Sequence, residues 1–370
     1  MKGRTIVLDH FGDIEAAALI VDGKLDDLLI DSDGPRPGTI YRAIADRPVK
    51  GQGGMFLKTP DGSAFLRQIK GLAPGQPILV QVSGYSEPGK AVPVTQKLLF
   101  KSRYAIVTPG APGTNISRSI RDEEERDRLL EIAHEASDGA AHGLILRSSC
   151  AGADADDIAD DIDAMLALAD KVLDDPSTDM EVLSEGDGPH ILAWRDWVEP
   201  ANVVTDPGGF ETHGVLDTVD SLSQPRVALD GGAFMFVEPT RALVAVDVNT
   251  GADVSLAAGI KANMACARAL PRALRLRGLG GQITLDLAPM PKKDRRPFET
   301  ALRQAFRADD VETTLVGWTP LGHYELQRKR ARMPLAEVLK GPARSATVKA
   351  LPSIAPSVRG AALTWIWPSG

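Results

Sequence analysis

Cysteine is nearly missing from this 370-residue chain, where only Cys150 and Cys266 occur. Two thiols cannot build the disulfide framework of a small secreted scaffold, and without C-x-x-C spacing they do not mark a zinc site. Long apolar runs are missing too. No stretch reaches the roughly 18 apolar residues that would predict a membrane span. The short run after Met1 breaks at Asp9, before it could form the core of a signal peptide. A reducing, cytoplasmic setting is the expectation. Positive charge is also in deficit: 42 Lys and Arg against 50 Asp and Glu give a formal net charge of −8. As an average, that argues against a polyanionic partner.

The average conceals an uneven distribution. From Lys261 to Lys349 there are 18 Lys and Arg against 8 Asp and Glu, net +10, whereas the first 260 residues hold 23 against 42, net −19. A hydrophobic share of 43% over 370 residues supports two or three domains with cores of their own, which excludes a disordered chain or a collagen-like fibre.

Short apolar strands and polar turns alternate over the first 31 residues, with Asp22-Gly23 as a hairpin turn. A cluster of Gly and Pro at 31–38 follows as a linker. Between Thr39 and Thr108 short strands are divided by turns at Asp61-Gly62, Pro74-Gly75 and Pro88-Gly89, which predicts a small β-barrel. Tyr41, Phe56, Phe65, Tyr85, Phe100 and Tyr104 are interleaved there with Arg42, Lys50, Lys58, Arg67 and Lys90. Aromatic rings that stack on bases, beside cations that meet phosphates, would make a single-strand-binding OB-fold face. The alternative is that the rings fill the barrel.

Helical spacing at Arg121–Glu135 and Ala153–Val172, around a short strand at Gly143–Ser149 that ends in polar residues, predicts a small α+β domain. After a Gly- and Pro-rich stretch at 184–225 come strands at Ala233–Val237 and Ala242–Val246, then a helix at Leu256–Leu276. Pro271 implies a kink or a late start in that helix. A strand at Gln282–Leu285 and helices at Pro297–Arg307 and Ala331–Leu339 complete an α/β unit. The tail from Gly341, with Trp365 and Trp367, has no assignment.

Two strands of the α/β unit end in an acid, Asp247 and Asp286. The period of two puts Asn249 on the same face as Asp247. Carboxylate and amide oxygens suit magnesium, which takes few protein ligands and completes its shell with water and substrate phosphate. A cation there could activate water for phosphodiester cleavage. Alternatively, both acids cap turns. Arg272, Arg275, Arg277, Lys292, Lys293, Arg295 and Arg296 bracket Asp286, which would draw a polyanion to it. Arg147-Ser148, at a strand end, could hold a terminal phosphate or be plain surface. The six His residues lack ligand spacing and read as structural.

Four stretches carry a resemblance. They are Glu238-Pro-Thr-Arg-Ala-Leu-Val-Ala-Val-Asp247-Val-Asn249-Thr-Gly251, Leu274-Arg-Leu-Arg-Gly-Leu-Gly-Gly281-Gln-Ile-Thr-Leu-Asp286, Gly322-His-Tyr-Glu325-Leu-Gln-Arg328-Lys-Arg330 and Asn115-Ile-Ser117-Arg118-Ser-Ile120. In their order along the chain they resemble the catalytic half of the bacterial ribonuclease E/G family, and within it a short alphaproteobacterial-type branch. The resemblance implies a magnesium-dependent endoribonuclease for single-stranded RNA in RNA processing or decay, with manganese as an alternative ion. Asp247 and Asp286 would hold the metal and Asn249 would assist. Phe56, Phe65 and Lys90 would grip RNA, and Arg147, Ser148 and Ile106 would sense a five-prime monophosphate.

The implied architecture is α+β and multidomain. An OB-fold barrel of the ribosomal S-one type (36–105) is inserted into an RNase H-like subdomain (1–35 and 184–225). A five-prime-end sensor (106–183) and a DNase I-like catalytic subdomain (226–340) follow, and 341–370 is a tail. The family's C-P-x-C zinc link is missing, so no zinc is expected and any oligomer would form without that link. Arg241, Ala265 and Pro289 replace acids usual in the family, and the basic residues expected after the Asn-Thr-Gly turn give way to Ala252-Asp253-Val254. These losses leave a second reading open: an RNA-binding protein with a degenerate nuclease site.

Overall fold

The computed structural model describes residues 3–49, 53–69, 71–87, 89–137 and 140–339. Lys50, Pro88 and the tail 341–370 lie outside them. The chain divides into two compact units, one of residues 33–199 and the other of the residues up to Ser32 together with those from Pro200 onward.

Strands β1 (Arg4–Phe11), β2 (Ile14–Val21) and β3 (Lys24–Ile30) form an antiparallel meander. Asp22 and Gly23 both take positive φ, 49° and 75°, the conformation that a two-residue type I′ hairpin needs.

In the unit 33–199, β4 (Ile40–Val49), β5 (Gly54–Thr59), β6 (Gly62–Leu66), β7 (Pro77–Val82) and β8 (Val92–Thr95) pair in the order β4-β5-β6-β8-β7. Strand β7 returns to β4, so the sheet closes into a five-stranded barrel consistent with an OB-fold. Alternation sends Tyr41, Met55, Leu57, Ala64, Leu66, Val80 and Val82 inward.

Strands β9 (Phe100–Lys101), β10 (Ala105–Thr108), β11 (Thr114–Ile116) and β12 (Gly143–Leu146) make a second sheet. It shares an apolar core with α1 (Glu123–Ala136) and α2 (Ala155–Leu173). Each helix starts on an Asp cap, Asp122 to the Glu125 amide and Asp154 to the Asp156 amide. Strand β13 (Glu181–Ser184) pairs with β4, and α3 (Pro189–Asp196) ends this unit.

In the other unit, β14 (Asn202–Val204) lies parallel to β1, and α4 (Gly209–Thr212) and α5 (Val215–Leu222) share a core with the meander. Strands β15 (Arg226–Ala228), β16 (Phe234–Pro239), β17 (Val244–Asn249), β18 (Gly281–Asp286), β19 (Thr313–Trp318) and β20 (Tyr324–Arg328) form one sheet, ordered β15-β16-β17-β18-β20-β19. Helix α6 (Leu256–Leu276) links the parallel pair β17 and β18. Helix α7 (Lys292–Arg307) follows β18, and α8 (Leu335–Val338) comes last. One sheet face is apolar: Met235, Val237, Val244, Val246, Val248, Ile283, Leu285 and Leu326 pack with α6 and α7 residues. The residues between them face the open side.

Helix α6 spans Leu256–Leu276 as expected; it runs through Pro271 and Ser255 caps the Ala258 amide, so there is no late start. Two later helices differ more clearly from the sequence expectation. Helix α7 begins at Lys292 rather than Pro297, because the basic run is a first turn and not a loop. The last helix covers only 335–338, with Pro334 at its cap.

Two contacts hold the surroundings of Asp286. Asn263 of α6 is fully buried. Its Nδ2 donates to the Ala288 carbonyl at 2.8 Å and its Oδ1 accepts from the Ala288 amide at 3.0 Å. Gly259, one turn earlier, lets the helix press on the same loop, since a Cβ there would lie 2.6 Å from the Pro289 carbonyl oxygen. Farther off, a buried ion network joins β3 to the end of α6 and the last strands. Arg275 meets Asp26, Asp27 and Asp309, Arg328 meets Asp309 at 2.7 Å, and Arg332 grips both oxygens of Asp27. Burial alone would raise the Asp27 carboxyl, but Arg332 and Arg275 hold it below the ordinary aspartate value.

Asn263→Leu leaves two buried backbone groups of Ala288 unpaired and is expected to cost about 2–4 kcal/mol in urea unfolding. Asp27→Asn should cost about 3 kcal/mol at pH 7 by leaving Arg332 buried without its counter-charge. A depressed carboxyl contributes its full stability above its unfolded pKa and loses it as pH falls through the folded one. The difference between wild type and Asp27→Asn should therefore narrow below about pH 4. A constant difference down to pH 3 would contradict this account.

Candidate functional site

Asp247 and Asp286 are direct partners across the parallel pair β17 and β18, and both are exposed on the open face of the sheet. Adjacent strands lie about 4.8 Å apart, and like charges facing each other at that spacing repel. Asn249, two residues along β17, donates from Nδ2 to Asp247 Oδ2 at 2.9 Å, which orients one carboxylate. His323 Nε2 stands 3.7 Å from Asp286 Oδ1, too far for a direct hydrogen bond.

Among the described residues no group of three or more His, Cys, Asp and Glu is arranged to hold a metal. The donor set is thus two carboxylates and an amide. That is sparse for a structural cage, yet it fits a hard divalent cation that binds through one or two carboxylates and leaves its remaining positions to water and substrate phosphate. Such a cation would also relieve the repulsion between the acids.

The basic residues around Asp286 divide sharply. Arg272 donates to the Leu25 carbonyl, Arg275 is held by Asp26, Asp27 and Asp309, and Arg277 donates to the Gln224 carbonyl at 3.0 Å. All three serve the interior of this unit, contrary to the sequence expectation. Lys292, Lys293 and Arg296 remain exposed in the first turns of α7, while Arg295 lies 4.2 Å over the Trp318 ring.

On the barrel, the same alternation that turns Met55, Leu57, Ala64 and Leu66 inward leaves Phe56 and Phe65 on the outside, half-buried. They are direct cross-strand partners with ring centroids 5.2 Å apart. Gly54 makes room, since a Cβ there would come within 2.5 Å of the Phe65 ring. Tyr41 fills the barrel interior, whereas Phe100 is buried in the core of the second sheet, so the filling alternative describes Tyr41 alone among these aromatics. Arg42 is buried as well, paired with Asp175 and Glu181. Arg47, which the sequence reading passed over, stacks 4.9 Å above Phe56. Lys90 is exposed and pairs with Glu87.

Arg147 ends β12 with its guanidinium engaged. Nη1 donates to the carbonyls of Ser102 (2.6 Å), Arg103 (3.3 Å) and Arg195 (3.1 Å), and Nη2 meets Asp196 Oδ1 at 2.7 Å. Burial would raise the Asp196 carboxyl, but Arg195, Lys101 and Arg147 together hold it far below the ordinary range. Ser148 is exposed. Ile106, half-buried on β10, lies opposite Ile145 of β12.

Sequence reasoning missed His323 and Asn263. His323 sits inside one of the motif stretches, but its partner is on another strand. Asn263 carried a weak signal, an amide among the alanines of a buried helix face.

A model of the Ribonuclease E/G family matches residues 100–206 and 194–331, well over half of the chain. Ribonuclease G of Salmonella typhimurium is 28% identical over 388 residues, covering 87% of this chain and 79% of its own. Ribonuclease G of Haemophilus influenzae is 26% identical, covering 87% and 78%. Ribonuclease E of Synechocystis is 26% identical over 89% of this chain but only 57% of its own. With motifs, matched span and relatives in agreement, the chain belongs to the ribonuclease E/G family.

Proposed function

We propose that this protein is an endoribonuclease acting in RNA processing, and that it cuts single-stranded RNA at Asp247 and Asp286 with magnesium, or manganese in its place. The observation that carries the proposal is the in-register pair of exposed acids on an open sheet face. Asp247 and Asp286 would supply carboxylate oxygens to the cation, and the Asn249 amide holds the Asp247 carboxylate in place. A bound divalent cation would polarise a phosphoryl oxygen and lower the pKa of a water ligand. The exposed Lys292, Lys293 and Arg296, which follow Asp286 within about three turns of chain, would attract the RNA backbone.

Phe56 and Phe65, with Arg47 above and Lys90 near the barrel surface, supply a stacking pair and cations for single-stranded RNA. We read β1–β3 with the parallel β14 as the RNase H-like subdomain and the six-stranded sheet as the DNase I-like one. Their strand orders support this reading. For a five-prime phosphate, Ser148 offers an exposed hydroxyl, while Arg147 would have to exchange Asp196 for the phosphate.

Of the lost acids behind the degenerate-site reading, one is replaced by Pro289 in the loop after Asp286, and the other two are those at positions 241 and 265. Ala265 is buried in α6 and Arg241 lies in the turn between β16 and β17, so neither replaces a charge beside the acidic pair on the open face. That favours an active enzyme.

Asp286→Asn removes one of two metal carboxylates and is expected to lower the cleavage rate of a single-stranded RNA oligonucleotide at least a thousandfold while leaving its affinity within about threefold. In the same assay, wild type should cut a five-prime-monophosphorylated oligonucleotide faster than a triphosphorylated one. Undiminished cleavage by Asp286→Asn would refute the site, and equal rates on the two ends would remove the sensor role.

A further inference from the structure

The open face of the six-stranded sheet carries an aromatic pair that the cutting reaction as described does not use. Phe234 and Phe236, two residues apart on β16, stand on the same side as Asp247 and Asn249. In the antiparallel register Phe236 is the direct partner of Asp247, and Phe234 of Asn249. The intervening Met235 and Val237 are buried on the opposite side. The two rings meet edge to face, with centroids 5.5 Å apart and planes at 82°. An edge-on contact does not cover the ring faces as a parallel stack would.

Arg226, exposed on the neighbouring β15, places its guanidinium 4.4 Å over the Phe234 ring. Across this face a cation, two aromatics and the two acids thus follow in order on β15, β16, β17 and β18. Phe234 and Phe236 are only half-buried, and Asp247, Gln282, Asp286, Glu325 and Gln327 on the same face are exposed. A soluble sheet face that carries two large aromatics among exposed polar groups matches the arrangement by which small RNA-binding sheets stack unpaired bases.

We propose that Phe234 and Phe236 are positioning residues that stack one or two unpaired bases of the RNA beside the cleavage point, with Arg226 meeting the adjoining phosphate. The backbones of Phe236 and Asp247 are about one strand spacing, 4.8 Å, apart, so a base on Phe236 lies beside Asp247. The phosphodiester next to it is thereby brought to the acids in a fixed register. Flat rings accept every base, so the platform orients the strand without choosing a sequence, and it excludes duplex RNA, whose bases are already stacked. This inference rests on reading Asp247 and Asp286 as the cutting site.

The test separates the two readings by using chelator, where nothing is cut. A single-stranded RNA bearing one 5-iodouridine is irradiated with the full-length protein and the crosslinked peptides are mapped, while affinity is measured for Phe234→Leu/Phe236→Leu and for Phe234→Tyr/Phe236→Tyr. Expected results are a crosslink within Arg226–Pro239, affinity lowered about tenfold in the Leu pair, and affinity restored in the Tyr pair. Equal affinity of wild type and the Leu pair, or no recovery with Tyr, would overturn the platform. If wild type then fails to cut when magnesium is added but keeps the crosslink, the nuclease reading falls and the base platform stands.

Discussion

Two negative charges held side by side on neighbouring strands are the constraint around which the six-stranded sheet is organised. Asp247 and Asp286 are fixed in register by the backbone ladder of a parallel pair. The rest of the unit holds that arrangement in place. An apolar face against α6 and α7 fixes the two strands, Asn263 pins the loop that leaves Asp286, and Asn249 turns the Asp247 carboxylate. The open face is thereby left uncovered by α6 and α7, with both acids exposed on it.

Charge in the C-terminal third has two separate uses. A buried or half-buried set of arginines, Arg275, Arg328 and Arg332, is neutralised by Asp27 and Asp309 and joins the meander, the end of α6 and the last strands within one unit. Removing one partner from such a set is costly because it strands a buried charge, whatever the intact set contributes. The exposed cations at the start of α7 are among those available to a polyanion. The segment's net charge of +10 therefore overstates what a nucleic acid would meet at this site.

Local signals carried much of this organisation. The Asp22-Gly23 turn, the closely spaced barrel strands and the acid that ends β18 were legible because each depends on neighbours a few residues away, whereas Asp247 proves to lie inside β17, which runs on to Asn249. Asn249 followed from the period of two. What could not be read were partners brought together by the tertiary fold. Arg272 finds the Leu25 carbonyl 247 positions away, and nothing near Arg272 in the chain announces it. Arg42 pairs with Asp175, and His323 reaches Asp286, for the same reason. The aromatics of the barrel show the same limit, because inward Tyr41 and outward Phe56 differ only in strand parity, which registers once the pairing is known.

The central claim is that Asp247 and Asp286 together hold the divalent cation on which RNA cutting depends. The most direct measurement is the cleavage rate of a single-stranded RNA by the full-length protein as magnesium is titrated into chelator-treated samples, for wild type and Asp247→Asn. The account predicts no cleavage in chelator, saturable recovery with magnesium in wild type, and recovery in the variant only at much higher magnesium or not at all. Cleavage that persists in chelator, or identical magnesium curves for the two proteins, would contradict it.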